Sequence, residues 1–244
     1  MGVWRLGLFS GEFSVFFFEL YWVRVLCGGI NVEEMDRLME INFRPARPED
    51  AAALVPLVYA SGPPTFDYVF TARGGLLDAK GYLGGTLTQR AGEFGYGVHI
   101  VGEVDGVIVA GGAGYDAGLL GNTMLLNLRQ IVGAYGLASA SVIRRGLAVE
   151  HLLPPPRGEE WCLVHLGVSE SLRGRGIGGQ LVDALLERGR ARGCRVAVLD
   201  VSLENPLAQV LYERIGFRIT REVVANLRSP HGHVPGFRRM EMPL

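Results

Sequence analysis

The strongest constraint on this chain is the run Leu166-Gly-Val-Ser-Glu-Ser-Leu-Arg173-Gly174-Arg175-Gly176-Ile177-Gly178-Gly179-Gln180-Leu181. A β-type run, Trp161–Val168, passes into a turn with four glycines and two arginines. A helical pattern starts at once over Gly176–Arg192, with Ile177, Leu181, Ala184 and Leu185 on one apolar face. A second buried-type strand, Arg195–Val201, follows. A strand–helix–strand unit of this kind closes by parallel pairing and requires an α/β sheet. Its turn also has a chemical bias. The first N–H groups of a helix have no partner in the helix and carry partial positive charge, so they attract anions. Glycine lets a ligand come close to that backbone, and Arg173 and Arg175 add charge-assisted donors. Together these features suit a pyrophosphate.

The rest of the chain arranges itself around that unit. Ile41–Ala46 reads as a short strand. Pro48-Glu49-Asp50 opens a helix predicted over Ala51–Tyr59. Phe66–Gln89 reads as helix broken by Gly74-Gly75 and Gly84-Gly85. Gly97–Glu103 and Val107–Ala113 flank Asp105-Gly106, a hairpin turn signal. Leu119–Glu150 predicts two helices with a break near Gly133–Gly136, and Pro154-Pro155-Pro156 stiffens the link onward. Pro206–Ile215 is a short helix, followed by closing strands at Phe217–Asn226 and Arg238–Met242. The first forty residues are an N-terminal extension. Arg5, Glu12, Glu19 and Arg24 interrupt its apolar run below the ~20 residues of a membrane span. It reads as an accessory element, a weak interfacial segment, or the product of an early start codon, with Met35 and Met39 as alternative starts.

Composition excludes other classes. The 24 basic and 25 acidic residues leave a formal charge of −1, so no overall field draws in nucleic acid or anionic membrane. Cys27, Cys162 and Cys194 show no C-x-x-C spacing, which argues against a disulfide framework or zinc site and fits a reducing cytoplasm. No metal is expected: His231-x-His233 has no third ligand in view and reads as a surface loop.

Two phosphate-binding readings compete for the turn. Gly174-x-Gly176-x-x-Gly179, with Asp200 ending the next strand, satisfies a dinucleotide fingerprint. Against it, Ser169–Arg173 separates the strand from the first glycine, and only 44 residues follow Asp200. The alternative fits both halves. Arg173-x-x-Gly176-x-Gly178 after Leu166-Gly167-Val168 resembles the phosphate loop [R/Q]-x-x-G-x-[G/A] of the GNAT superfamily of acyl-CoA-dependent N-acetyltransferases, which follows a Leu-Ala-Val-like triplet. Asn205-x-x-Ala208-x-x-x-Tyr212-x-x-x-Gly216-Phe217 resembles that family's second block.

The resemblance covers roughly Ile41–Leu244 and is strongest over Leu166–Phe217. It implies a mixed, mostly antiparallel sheet with a splayed parallel pair, flanked by helices, with Tyr115–Glu159 as a helical insertion before the central strand. It implies acetyl-CoA as co-substrate, with the pyrophosphate on Arg173, Gly174, Arg175, Gly176, Ile177, Gly178 and Gly179. The pantetheine arm would pair with the strand end at Leu166 and Val168, and Asn205 would add a contact. Tyr212 would protonate the departing thiolate, and an amine would attack the thioester directly. The partners so implied are acetyl-CoA and a small or protein amine, with no metal.

The residues identify the base less directly. Glu160 lies at even spacing from Val168, so alternation predicts both on one face, and it is the expected catalytic carboxylate. His165, at odd spacing, is expected on the opposite face unless a bulge intervenes. The insertion's apolar helices, with Leu119, Leu120, Met124, Leu125, Leu126 and Leu128, suit either a cover over the acceptor site or a homodimer face. A non-catalytic acyl-CoA-binding module and a dinucleotide-dependent oxidoreductase are the rival functions.

Overall fold

In the computed structural model, residues 41–72, 77–121 and 124–244 are described. The first forty residues, Gly74-Gly75 and Cys27 lie outside them, as do the expectations placed on those positions. A seven-stranded mixed sheet has the order β1-β2-β3-β4-β5-β9-β6. Its strands are β1 (Asn42–Pro45), β2 (His99–Val104), β3 (Val107–Tyr115), β4 (Glu160–Val168), β5 (Val196–Ser202), β6 (Arg218–Val223) and β9 (Phe237–Pro243). A separate ribbon pairs β7 (Leu227–Arg228) with β8 (His233–Val234). Only β4 and β5 run parallel; every other neighbouring pair is antiparallel.

The hairpin between β2 and β3 turns on Asp105 and Gly106, whose φ values of 50° and 78° are those of a type I′ turn. Helix α1 (Ala51–Ala60) packs on one face of the sheet, its Leu54 and Leu57 side chains lying over Gly111 of β3. Helices α2 (Pro63–Phe70) and α3 (Ala79–Leu87) join the same layer, with Phe66, Phe70, Tyr82 and Leu83 in its buried cluster. Gly84-Gly85 does not break α3. Ala79, Tyr82, Leu83 and Leu87 are buried on one side of that helix, and tertiary packing of this kind outweighs the cost of two glycines.

The insertion holds a short helix α4 (Ala117–Gly121), then α5 (Met124–Tyr135) and α6 (Ser139–Glu150), joined by a 3₁₀ turn at Gly136–Ala138. The break therefore falls at Gly136, whose φ is 51°, and Gly133 sits inside α5. Both long helices dock on the α1/α2 layer. Tyr135 Oη donates to the Phe70 carbonyl at 2.6 Å, and Arg145 donates to the Thr71 carbonyl at 3.0 Å.

The opposite face is covered by α7 (Ile177–Ala191) and α8 (Pro206–Ile215). Ile177, Leu181, Val182, Leu185 and Leu186 of α7 bury against Trp161 and Leu163 of β4 and Leu199 of β5. Gly189 is needed here, because a Cβ would lie 2.7 Å from the Trp161 ring. No helix among the described residues is long and apolar enough to cross a membrane.

Candidate functional site

The parallel pair parts soon after it begins. Glu160, Trp161 and Cys162 of β4 pair with Val196, Ala197 and Val198 of β5. Beyond that, β5 continues on β9 as far as Ser202, while β4 stays with β3 as far as Val168. A cleft opens between them, and among the described residues the edge of Leu163–Val168 facing β5 has no strand partner. That edge offers backbone donors and acceptors to an extended ligand, as an unpaired sheet edge does.

A β-bulge interrupts β4 at its centre. The β3 partners change from Gly111↔Gly167 to Ala113↔Val164, so one residue is extra, and His165 takes a φ of 60°. This reverses the expected alternation. Leu163 and Val168 join the cluster under α7 and α8, whereas Cys162 and Val164 belong to a cluster on the α1/α2 face. Glu160, two residues before Cys162, is therefore not on the face of Val168. His165, expected on the face opposite Glu160, is instead brought onto the α1/α2 face. There its ring stacks on Phe94 at 4.9 Å and on His99 at 5.3 Å.

Beyond the cleft, the turn has the geometry that its sequence suggested. Gly174 and Gly176 take φ values of 78° and 79°, and Gly176 caps α7 without a side-chain hydrogen bond. The N–H of Gly179 is bonded to the Gly176 carbonyl at 3.0 Å within the first turn. A Cβ on Gly174, Gly176 or Gly179 would meet open space, whereas one on Gly178 would lie 3.2 Å from Leu211 of α8. Gly174, Gly176 and Gly179 thus clear an approach to the helix N-terminus, and Gly178 lets α8 pack close. Ile177 is buried beneath the turn. Arg173 is exposed, and its Nε donates to the Val168 carbonyl at 3.3 Å, which folds the side chain back along the cleft. Arg175 is exposed on the same turn.

Helix α8 supplies the other wall. Asn205 caps it, its carboxamide oxygen accepting from Ala208 N at 3.1 Å, and Pro206 fills the first helical position. The residue expected to contact a cofactor thus first builds the helix that carries Tyr212. That phenol is 8% exposed, packs edge-on against Phe217, and is pushed by burial up to about 12. It therefore carries its proton throughout the neutral range.

On the opposite face, carboxylates surround the base of the cleft. Glu160 lies in the still-paired part of β4, where Oε2 accepts from Arg157 N at 3.0 Å and lies 3.4 Å from Arg239 Nη2. Arg239 also reaches Asp200 at 3.5 Å and the Pro154 carbonyl at 2.8 Å. Burial raises Asp200 to about 6 despite Arg239 beside it. Glu93, in the loop between α3 and β2, was not singled out by any motif. Its Oε1 accepts from Tyr115 Oη at 3.3 Å, and Tyr115 is paired across the sheet with Cys162. Burial raises Glu93 to about 7. On this face a groove of about 490 Å³ is lined by Tyr59, Asp67, Asp78, Lys80 and His231 among others. Among the described residues no group of three or more His, Cys, Asp or Glu is placed to hold a metal ion.

Comparison with known proteins gives a consistent picture. Residues 88–217 match the model of the acetyltransferase (GNAT) family. An 84-residue stretch is 34% identical to a mycothiol acetyltransferase of Corynebacterium aurimucosum, covering 30% of this chain and 28% of that protein. A 57-residue stretch is 37% identical to an aminoglycoside N(6')-acetyltransferase type 1 of Salmonella typhimurium, covering 23% of this chain and 39% of that one. The chain thus spans well under half the length of the curated relatives it matches. Among solved structures, a GCN5-related N-acetyltransferase from Kribbella flavida superposes with a TM-score of 0.51 at 17% identity, covering 84% of this chain and 98% of its own. An agmatine N-acetyltransferase (mutant S171A, apo form) gives 0.51 at 19% identity, covering 84% and 99%. At such identities the likeness is one of fold.

Proposed function

Because the chain belongs to the acetyltransferase (GNAT) family, we propose that it is an N-acetyltransferase moving an acetyl group from acetyl-CoA to a primary amine by direct attack. The observation that carries this reading is the parting of β4 from β5 after Cys162↔Val198, with the glycine turn at its open end and Tyr212 on its wall. The pyrophosphate sits on the N-terminus of α7, among the backbone amides of Arg173–Gly179. The pantetheine arm runs inward along Leu166–Val168, and the thioester reaches the root of the cleft. Tyr212 donates its proton to sulfur as the C–S bond breaks. A neutral phenol matches that role, since burial keeps it protonated throughout the neutral range and so able to donate.

The acceptor approaches from the α1/α2 face, opposite the wall that carries Tyr212. Glu160 was expected to take the amine's proton. Its Oε2 is held by Arg157 N and Arg239 in the part of β4 that is still paired. We place Glu160, with Arg239 and Asp200, as an anchor of the closed end of the cleft.

Tyr212→Phe tests the reading. It removes the proton donor and leaves the packing against Phe217. Calorimetry should show acetyl-CoA affinity unchanged, while thiol release with an amine acceptor falls by about 10²–10⁴, the span of general acid catalysis. Wild-type turnover in the variant would remove Tyr212 from the mechanism. A wild-type chain that binds acetyl-CoA but releases no thiol with any amine would leave a binding module.

A further inference from the structure

We propose that Glu93 is the general base that takes the proton from the attacking amine, and that helix α5 of the insertion holds it in place. The inference rests on the acetyltransfer reading and supplies the group which that reading leaves open.

The geometry starts at the root of the cleft. Cys162 is the last residue of β4 paired with β5, and Tyr115 is its partner on β3. Tyr115, Cys162 and Val198 are all buried in one cluster on the α1/α2 face. The Tyr115 hydroxyl reaches out of that cluster to Glu93 Oε1. Glu93 is thus tied to the point where the strands part. It is on the side opposite Tyr212, which belongs to the cluster under α7 and α8. A thioester lying between the strands has a proton donor on one face and a proton acceptor on the other.

The loop that carries Glu93 is fixed from several sides. Asn127 Oδ1 of α5 accepts from Glu93 N at 3.3 Å, and Gln130 Nε2 donates to the Ala91 carbonyl at 3.2 Å and to Gln89 Oε1 at 2.9 Å. Phe94, the next residue, stacks on His165 and meets Phe66 and Phe70 edge-on. A loop bound this way holds a carboxylate in one place, which general base catalysis requires. The groups that face Glu93 are Tyr82 of α3, Tyr115 of β3, Cys162 of β4 and Glu150 of α6. His99 and His165 lie behind Phe94 and are kept neutral by burial. No cation appears among these, and the Tyr115 hydrogen bond, the one contact in the set that favours the carboxylate, is outweighed by burial. Burial leaves it to ionise near pH 7, which suits a base at that pH.

The step balances. The Glu93 carboxylate takes one proton from the ammonium, and the freed nitrogen pair forms the C–N bond at the acetyl carbonyl. The C–S bond breaks with its pair on sulfur, and sulfur takes the Tyr212 proton. The surplus proton on the new amide nitrogen restores the phenol. Ammonium and acetyl-CoA become amide, CoA thiol and one proton, which Glu93 passes to water.

The test uses the full chain, with acetyl-CoA and a monoamine, a diamine and an amino acid as acceptor probes. Glu93→Gln should keep acetyl-CoA affinity within about twofold, lower kcat by about 10²–10³, and abolish the acid limb of the pH–rate profile. Glu93→Asp should restore part of the rate together with the limb. Asn127→Ala should lower kcat several-fold while leaving the limb in place. An independent readout needs no acceptor: the Glu93 carboxyl carbon, assigned in ¹³C spectra by difference from Glu93→Gln, should titrate near pH 7. The proposal is overturned if Glu93→Gln keeps its turnover and acid limb, or if that carbon titrates in the ordinary carboxylate range. A wild-type chain that fails to bind acetyl-CoA would overturn the acetyltransfer reading instead.

Discussion

Nδ1 of His165 lies 3.3 Å from Nε2 of His99, with the two rings stacked at 5.3 Å and 8° between planes. His99 Nδ1 donates to the Gly95 carbonyl at 2.7 Å, which leaves Nε2 as the acceptor for the His165 proton. The arrangement works only while both rings are neutral. Burial, the larger cause, lowers His99 to about 4, and burial beside His99 lowers His165 well below its ordinary value. The unfolded chain binds a proton at His99 below about pH 6.5, and the folded chain does so only below about 4. The His99 contribution is therefore complete above pH 6.5 and is lost as pH falls toward 4. At pH 5 the loss is about 2 kcal/mol by linkage. Urea unfolding at pH 5 and 7.5 should show this difference between the wild type and His99→Gln. An identical pH dependence in the two proteins would mean that His99 titrates freely.

The strand–turn–helix unit was legible because its signal is local. Four glycines, two arginines and the apolar face of α7 lie within one stretch, and the second block from Asn205 to Phe217 is equally compact. The bulge at His165 was not legible. It depends on how β4 pairs with β3, and without it the alternation misplaces both Val168 and His165. Glu93 carries no local sequence signal for the same reason. It sits in an irregular loop, and only Tyr115 and Asn127, 22 and 34 residues further on, mark its place. The substitution of Gly167 for the alanine of the usual triplet was visible, but its cause was not.

That cause gives the next prediction. A Cβ on Gly167 would press into the carbonyl of Leu57 in α1, which is backbone and cannot swing aside. Gly167→Ala should destabilise the fold by about 1–3 kcal/mol or more, as overpacking does, although alanine suits a strand better than glycine. Gly179→Ala, where a Cβ meets open space, is the control and should stay within about 0.5 kcal/mol. Equal melting temperatures for Gly167→Ala and the wild type would show that α1 is free to shift.

The phosphate turn separates backbone strain from charge. Gly176 has a φ of 79° and open space around its α-carbon. Gly176→Ala should cost about 1–2 kcal/mol of stability through that conformation. Gly176→Asp adds a negative charge beside the pyrophosphate and should weaken CoA binding severely. Arg173→Ala should cost about 1–3 kcal/mol of affinity, as for a charge-assisted hydrogen bond. Calorimetry showing unchanged CoA affinity in both Gly176→Asp and Arg173→Ala would remove the cofactor from this turn.

The insertion has two faces, and they predict different outcomes. Inward, Tyr135 and Val142 are buried, Tyr135 is bonded to Phe70, and Asn127 and Gln130 hold the loop of Glu93. Outward, Leu125 is 76% exposed, and Leu126, Leu128 and Val132 lie beside it in sequence and are exposed as well. A cover acts through its inner face, whereas a dimer contact acts through the outer one. Tyr135→Phe removes a donor from the Phe70 carbonyl and should cost about 1 kcal/mol of stability. It should also loosen α5 against α2 and raise the KM for the amine, with CoA affinity intact. Leu125→Glu with Leu128→Glu should leave both constants unchanged and lower any self-association seen by sedimentation. The reverse pattern, with acceptor kinetics moved only by the outer pair, would assign the acceptor contact to the exposed leucines and leave Tyr135 as a packing residue.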